Sequence, residues 1–429
     1  MRQLERILGQ PLSKIISTMS GSSKPVDLKG RLAIVLASVM FLTASASASE
    51  DGHVGLLYIS DPVRVPVVKY LRTDPLFSIT LVAASLRGFG GWEMDNVQRA
   101  VRLYMPRNYE DLITRYDVIV LDNANVFAVP SNYIEMLARG AREGENGLLM
   151  TGGWESFGGH NNPSWGQTAI GDILPTEDFE GTWVEKGRVV IDNTVNEFMS
   201  SIPWEKEKEP WMFEFHHNLV AVKAGGTLLA HTEDNLQGPE EHPLFVTWEL
   251  PSGGRVFACT GEISMMSPFY GFKGWRYYGD FGANLALYLA ERPVPQDVEL
   301  VHLVRETIFT ARTRNALLLS LLEFTENLGA NTGDIMNMMD EIDELAATAR
   351  PLYMELRFEE VLMVYDEVNE MFAEVEFEAM KLKNRALMWI FIVEWLAVSG
   401  VAILAGVLLW SIMVRRRLYR EVGVTKFLD

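Results

Sequence analysis

Short apolar runs alternate with amphipathic helical patterns along residues 52–292 of the chain. The apolar runs end in polar or glycine-containing turns, and they cover residues 54–60, 78–83, 117–121 and 147–151. Helical periodicity occupies residues 93–104 and 131–142 between them. This alternation predicts a parallel sheet connected by helices. We expect Ser131 to cap the second helix and Gly144, with Gly147, to end it.

Later in the same region the pattern changes to shorter apolar runs. They predict strands at residues 188–191, 227–230, 244–249 and 255–259. The turn sequence at 251–254, Pro-Ser-Gly-Gly, joins the last two and predicts a hairpin.

From residue 296 to 386 the composition is typical of a helical stalk. Helices are predicted at 301–328 and 334–350, with a third opening at Pro351 and continuing unbroken into the apolar segment that follows. In the third helix an apolar stripe predicts packing against the two preceding helices, with a self-association seam as the alternative. The stripe consists of Leu362, Tyr365, Val368, Phe372 and Val375.

A run of twenty uncharged residues, 395–414, leads directly into Arg415, Arg416 and Arg417. A helix of this length spans about 30 Å, the thickness of the hydrocarbon core of a bilayer, so the run predicts a membrane anchor. Glu394 lies at its outer end, either as an interfacial residue or as a functional intramembrane acid.

The N-terminus predicts a signal peptide. Lys29 and Arg31 precede an apolar run at 32–42 and a small-residue segment at 43–49 with A-x-A spacing. The long leader before them keeps an uncleaved N-terminal anchor open as the alternative. Both versions export the body of the protein and leave the arginines that follow the anchor in the cytoplasm, as the positive-inside rule expects. We therefore expect a single-pass protein of the cell membrane with its body outside.

These patterns divide the chain into five parts. They are a leader or signal peptide at 1–49, an α/β domain at 50–292, a helical membrane-proximal stalk at 293–386, a transmembrane helix at 387–414 and a short basic cytoplasmic tail at 415–429.

The net charge and the cysteine content argue against certain classes of ligand and site. A net charge of -19 without a basic patch before the anchor argues against nucleic acid binding. The chain has one cysteine, Cys259, which excludes an intrachain disulfide and a cysteine-rich metal site.

Ligands of an open parallel sheet bind beyond the carboxyl ends of its strands. The residues that follow the predicted strands there are candidate ligand-binding residues: Asp122, Asn123, Gly152, Gly153, Trp154 and Glu155. The glycines allow a sharp turn with exposed amides that suit an anion, and the alternative is a tight turn closed by Trp154 and Phe157. Several tryptophans nearby suit a sugar or a peptide partner, although we expect at least two to pack in the core.

Several of these segments together resemble the glutamine amidotransferase-like domains of the class I glutamine amidotransferase-like superfamily, which are related to trehalose-utilisation-type domains. The resemblance covers residues 53–292, and its segments are 108–123, 147–159, 172–175 and 253–258. It implies an α/β fold of the flavodoxin-like, three-layer sandwich type with a mainly parallel sheet.

Active members of that family use a cysteine on a G-x-C-x-G elbow together with a histidine and an acidic residue. This chain has no cysteine near residues 152–158, and we expect Cys259 to be a buried strand residue. The remaining catalytic candidates are Ser156, His160 and Glu262, with Thr260 where the histidine would stand. Ser156 lacks the first glycine of a G-x-S-x-G elbow.

The histidines fit no metal motif. The spacing of His160, His216 and His217 with Glu155 or Glu262 matches no known ligand pattern, so we expect no metal and no cofactor. One of His216 and His217 should face the core.

Three functions remain open. The leading hypothesis is a non-catalytic, membrane-anchored domain that binds a small molecule, a sugar or a protein partner. The alternatives are an active hydrolase that uses Ser156 or an activated water, and a structural component of a membrane assembly that contacts other membrane proteins through the stalk.

Overall fold

The computed structural model describes residues 53–60, 66–85, 94–158, 164–184, 187–204, 212–213, 217–233, 241–266 and 275–425. The predicted signal peptide and the end of the predicted cytoplasmic tail lie outside these residues.

Two sheets are present in the described α/β region. Their strands are β1 (Val54–Ser60), β2 (Phe77–Ala83), β3 (Val118–Asp122), β4 (Gly147–Thr151), β5 (Thr176–Val184), β6 (Gly187–Ile191), β7 (Met212–Phe213), β8 (His217–Val222), β9 (Thr227–Glu233), β10 (Glu241–Glu249) and β11 (Arg255–Cys259). The larger sheet has the order β2-β1-β3-β4-β11-β10-β9-β6-β7, and β5 pairs with β8 in the smaller one.

The larger sheet is mixed, with a continuous parallel block. Strands β2, β1, β3, β4 and β11 are mutually parallel, and each remaining neighbour pair from β11 to β7 is antiparallel. The prediction of a parallel sheet is therefore confirmed for the first half of the region, and the predicted β10–β11 hairpin is present. The antiparallel pair of β5 and β8 was not predicted from the sequence.

Helices cover both faces of the parallel block. The described helices are α1 (Pro66–Thr73), α2 (Met94–Tyr104), α3 (Tyr109–Arg115), α4 (Ser131–Glu143), α5 (Glu197–Ser200), α6 (Tyr278–Leu289), α7 (Val298–Asn327), α8 (Gly333–Met354) and α9 (Phe358–Thr425). Leu57 and Ile59 face α2, α3 and α4, whereas Leu56 and Tyr58 face α1 and α6. Successive side chains of a strand point to opposite faces, so β1, to which these four residues belong, is buried on both sides.

Helix α4 begins differently from the sequence prediction but ends as predicted. The prediction that Ser131 caps it is wrong: Pro130 is the N-cap, Ser131 is the first helical residue, and no side chain caps the end. A proline with φ near its fixed value suits the entry to a helix. Gly144 ends the helix as predicted, in a left-handed conformation with φ 81°.

The stalk consists of α7, α8 and the first part of α9. The predicted apolar stripe is confirmed for Tyr365, Val368, Phe372 and Val375, which are buried against the two preceding helices. Leu362 is only partly buried, and Val361 takes the buried position beside it. A helix rotates by 100° per residue, so a neighbouring position can be the one that faces the partner helices.

Pro351 does not open the third helix, which corrects the prediction. It lies inside α8, and the break comes at Leu356, whose φ is 61°. The amides of Leu356 and Arg357 bond back to the carbonyls of Tyr353 and Leu352 and close the helix end. A left-handed residue ends a helix more decisively than a proline in its last turn.

Helix α9 then continues without a break through the predicted anchor. Within the described residues it is the helix that is long and apolar enough to cross a membrane. The described structure is therefore a mixed α/β fold with mostly parallel strands, followed by a long apolar helix at the C-terminal end.

Arg305 on α7 joins the α/β region to the stalk. Its Nε donates to Asp74 Oδ2 at 3.0 Å, and its Nη1 donates to Asp280 Oδ1 at 3.0 Å and to Asn284 Oδ1 at 2.8 Å. Tyr353 of α8 donates to the same Asp74 oxygen at 2.9 Å. All of these side chains are largely buried, and a buried charge is tolerated only when it is paired in this way.

We expect Tyr353→Phe to lower the free energy of unfolding by about 1–3 kcal/mol, because it leaves a buried carboxylate oxygen with one donor fewer. Chemical denaturation of the detergent-solubilised protein, followed by tryptophan fluorescence, measures the change. Tyr133→Phe is the matched control, since the described residues offer the Tyr133 hydroxyl no hydrogen-bond partner. Equal effects of the two substitutions would contradict the role of the buried network.

Candidate functional site

The last residues of the parallel strands form one row across the sheet. Ser60 pairs with Asp122, Asp122 with Thr151, and Thr151 with Cys259. This row lies at the carboxyl edge, where ligands of open α/β sheets bind. The residues predicted to bind a ligand lie at or directly after these strand ends in the chain.

Asp122 accepts three hydrogen bonds inside this row. Tyr58 donates its hydroxyl to Asp122 Oδ2 at 2.8 Å, Ser60 donates to the same oxygen at 3.3 Å, and Thr151 donates to Oδ1 at 2.5 Å. Burial raises the pKa of Asp122 to about 7; the hydrogen bonds oppose this shift and the nearby charge of Glu262 adds to it. Asp122 thus exchanges a proton near neutral pH.

Asparagine side chains hold the glycine loop that follows β4. Asn218 Oδ1 accepts from the Gly153 amide at 2.9 Å, and its Nδ2 donates to the Ser156 carbonyl at 3.2 Å. Asn123, in a left-handed conformation with φ 48°, accepts from the Glu155 amide at 2.8 Å. The sequence predicted that amides of this loop are exposed and suit an anion. In the structure the amides of Gly153 and Glu155 donate to acceptors within the protein instead.

Gly152 is required by the close approach of two backbone segments. A Cβ at this position would lie 1.8 Å from the carbonyl oxygen of Thr260. The chain after β4 thus packs directly on the chain after β11.

The three catalytic candidates are differently placed. Ser156 is fully buried, and its Oγ has no hydrogen-bond partner among the described residues. Glu262 is largely buried and accepts from Ser264 Oγ at 2.8 Å. His160 lies outside the described residues, so its candidacy as a catalytic residue stays a prediction.

The acidic and aromatic members of the loop also contact the interior. Glu155 is buried and its Oε1 accepts from Asn125 Nδ2 at 2.9 Å. Trp154 is partly exposed, whereas Phe157 is fully buried with φ 48°. Phe157 thus packs in the core, as the tight-turn interpretation expects for it, whereas Trp154 does not.

Cys259 is buried in its strand, as predicted. Its Sγ lies 3.3 Å from the Gly261 carbonyl oxygen, and burial raises the pKa of the thiol well above its usual range. A thiol is nucleophilic only as a thiolate, so Cys259 is not poised to attack a substrate.

Two further predictions concern the aromatic residues. Trp165 and Trp204 are buried in the core, and their indole N–H groups donate to the carbonyls of Ala124 and Met199. His217 is fully buried and its Nε2 lies 3.2 Å from Thr232 Oγ1, while His216 lies outside the described residues. The expectation of at least two core tryptophans and one core histidine is confirmed.

Sequence reasoning did not single out Tyr58, Thr151 and Asn218. Tyr58 and Thr151 lie within apolar strands, where alternation gives no reason to pick a polar contact. Asn218 comes from β8, 65 residues after Gly153, and only the pairing of separate sheets brings the two together. The one feature of the sequence that could have identified Asn218 is its position after two histidines in an aromatic segment. Among the described residues no group of three or more His, Cys, Asp or Glu side chains could hold a metal ion.

Comparisons with known proteins add little. No protein-family model matches the chain, and no curated protein matches it. One similar solved structure is that of Agd3, described as a novel carbohydrate deacetylase, with 10% identity and a TM-score of 0.37. The match covers 56% of this chain and 32% of that chain, so this protein spans about a third of the other's length. A TM-score this low carries no argument about fold or function.

We expect Asp122 to make the stability of the protein depend on pH. The unfolded carboxyl has a pKa of 3.8 and the folded one about 7, so between these values the folded protein keeps a proton that the unfolded chain has released. The contribution of Asp122 to the free energy of unfolding is therefore present in full below pH 3.8 and is lost as pH rises to about 7.

Denaturation curves at several pH values test this. Asp122→Asn should remove that part of the slope and should be relatively more stable than the wild type above pH 7. Asp172→Asn, at an exposed position, is the control and should follow the wild type. Parallel pH profiles for wild type and Asp122→Asn would contradict the assignment.

Proposed function

We propose that this chain is a membrane-anchored extracytoplasmic protein whose glutamine amidotransferase-like domain binds a small ligand or a protein partner without catalysing a reaction. The domain has a flavodoxin-like, three-layer arrangement, and the carboxyl edge of its parallel block is the binding face. The single observation that carries the proposal is the closed polar network at that edge.

The nucleophiles at this edge favour binding over catalysis. The Cys259 thiol is kept neutral by burial, and Ser156 is fully buried without a hydrogen-bonded base among the described residues. A serine hydroxyl without a positioned base is a weak nucleophile at neutral pH. A substrate would also have to contact Ser156 Oγ, which solvent does not reach.

The same network supports a rigid binding face. Asn123 and Asn218 fix the loop from two sides, and Gly152 lets it pack directly on the chain after β11. A preformed loop loses little conformational entropy when a ligand binds. Trp154, partly exposed on this loop, offers an apolar surface to that ligand.

An active hydrolase is the second candidate, and one observation favours it. Asp122 has a pKa of about 7 and the Glu262 charge is close enough to raise it. A carboxyl group that exchanges a proton near neutral pH can act as a general acid or base, with water as the attacking group.

A turnover assay separates the two candidates. We expect the full-length protein in detergent to show no turnover above a protein-free blank on panels of ester, amide and glycoside substrates, because no accessible nucleophile is positioned. Ser156→Ala, Glu262→Gln and the control Ser201→Ala, a buried serine on another element, should all behave alike. Turnover that survives Ser201→Ala and disappears in either of the other two variants would overturn the binding proposal.

The orientation in the membrane is tested by cysteine labelling in intact cells. Cys259 is buried, so the wild type gives a low background with a membrane-impermeant maleimide. We expect Glu326→Cys, in the exposed end of α7, to be labelled from outside, and Leu418→Cys, beyond the anchor, to be labelled only after the cells are opened. The reverse pattern would contradict an exported body.

A further inference from the structure

A cavity of about 280 Å³ lies where the α/β region meets the stalk. Its walls come from α1, α6 and α7 and from the segment just before α6. It is separate from the carboxyl edge of the sheet, because none of the strand-end residues lines it. Its volume is close to the lower end of the range of about 300–1,000 Å³ that is usual for small-molecule sites.

Arg305 supplies a donor at this cavity that the protein itself does not use. Its Nε and Nη1 are hydrogen-bonded to carboxylate and amide oxygens, but its Nη2 is buried without an acceptor among the described residues. The side chain is 9% exposed and lines the cavity. A buried donor without an acceptor is unfavourable, and a small shift of the cavity wall on binding would bring a ligand oxygen within reach of Nη2.

Aromatic rings form the apolar part of the wall. Tyr70 and Phe309 are stacked with their centroids 4.7 Å apart and an interplanar angle of 13°, and Trp275 lies on the same cavity. Flat aromatic walls with a few polar groups are the usual composition of a small-molecule site. They favour a ligand with an apolar face.

The charges around the cavity select against ions. The carboxyl groups of Asp74, Asp280 and Glu306 and the guanidinium groups of Arg276 and Arg305 all line the cavity, and Asp74 and Asp280 are paired with Arg305. His302 Nδ1 lies 2.6 Å from Asp280 Oδ2, and its Nε2 lies 3.5 Å from Glu306 Oε2. An anion would meet the three carboxyl groups, whereas a cation would meet the unused Arg305 donor and Arg276.

We propose that this cavity binds an uncharged sugar of monosaccharide size. A pyranose presents a face of C–H groups to the aromatic wall, and its hydroxyl oxygens accept from Arg305 Nη2. The proposal does not rest on the function assigned to the strand-end edge, so either can fail without the other.

Such a ligand would contact both parts of the molecule at once. Tyr70 belongs to the α/β region, whereas Arg305 and Phe309 belong to α7 of the stalk. Binding would therefore strengthen the attachment of the domain to the helices that lead into the anchor.

Isothermal titration of the full-length protein in detergent tests the proposal, with glucose, galactose and N-acetylglucosamine as neutral probes. Glucuronate and glucosamine are the anionic and cationic probes of matched size. We expect saturable binding of at least one neutral probe, and weaker binding of both charged ones.

Thr310→Trp places a large side chain at the exposed rim of the cavity and should weaken binding of that neutral probe by about tenfold or more. Thr313→Trp is the matched control, an exposed threonine one turn further along α7 that does not line the cavity, and should leave the affinity unchanged. Glu306→Trp, also exposed on the rim, repeats the test if Thr310→Trp does not fold.

The proposal is overturned if none of the neutral probes binds saturably, or if a charged probe binds as tightly as the neutral ones. It is equally overturned if the folded rim variant keeps the affinity of the wild type. A loss of affinity in Thr313→Trp as large as in the rim variant would show that the effect is not local and would also reject the site.

Discussion

The buried ion pairs of Arg305 are the constraint on which the arrangement of this molecule depends. A guanidinium group that is 9% exposed lies between Asp74, at the end of α1, and Asp280, on α6. Burial alone would lower the pKa of Arg305, but Tyr353 and the two carboxyl groups raise it, so the side chain keeps its charge. Loss of one partner from such a buried pair typically destabilises a protein by about 3–5 kcal/mol. The α/β region and the stalk therefore fold against each other.

This attachment determines how the long C-terminal helix is connected to the α/β region. Helix α9 packs in the stalk through residues such as Val368 and Phe372 and continues without a break into the apolar segment that is long enough to span a membrane. With α7 held by Arg305 and α9 held by α7 and α8, the stalk joins the sheet to that segment through packed helices. The cavity beside Arg305 lies at this connection, so a ligand there would act on the attachment itself.

The carboxyl edge of the sheet shows a different principle. Its polar groups are numerous, but most of them bind one another: Asp122 accepts from three hydroxyl groups, and Asn123 and Asn218 accept from the loop amides. A polar network that is satisfied internally fixes the backbone. The edge consequently resembles a rigid platform more than a reactive cleft, although Asp122 retains a proton that can leave near neutral pH.

Elements whose signal is local could be predicted from the amino-acid sequence. The parallel strands, Gly144 as the end of α4, the burial of Cys259 and the unbroken helix through residues 395–414 all follow from periodicity or from the conformation of one residue. It also identified the loop after β4, but not the partners that close it. The tertiary structure alone decided the antiparallel pair of β5 and β8, the contact of Asn218 with Gly153, and the meeting of Arg305 with Asp74 across 231 residues. Contacts between distant segments depend on how whole elements pack, and no local pattern of polar and apolar residues encodes that packing.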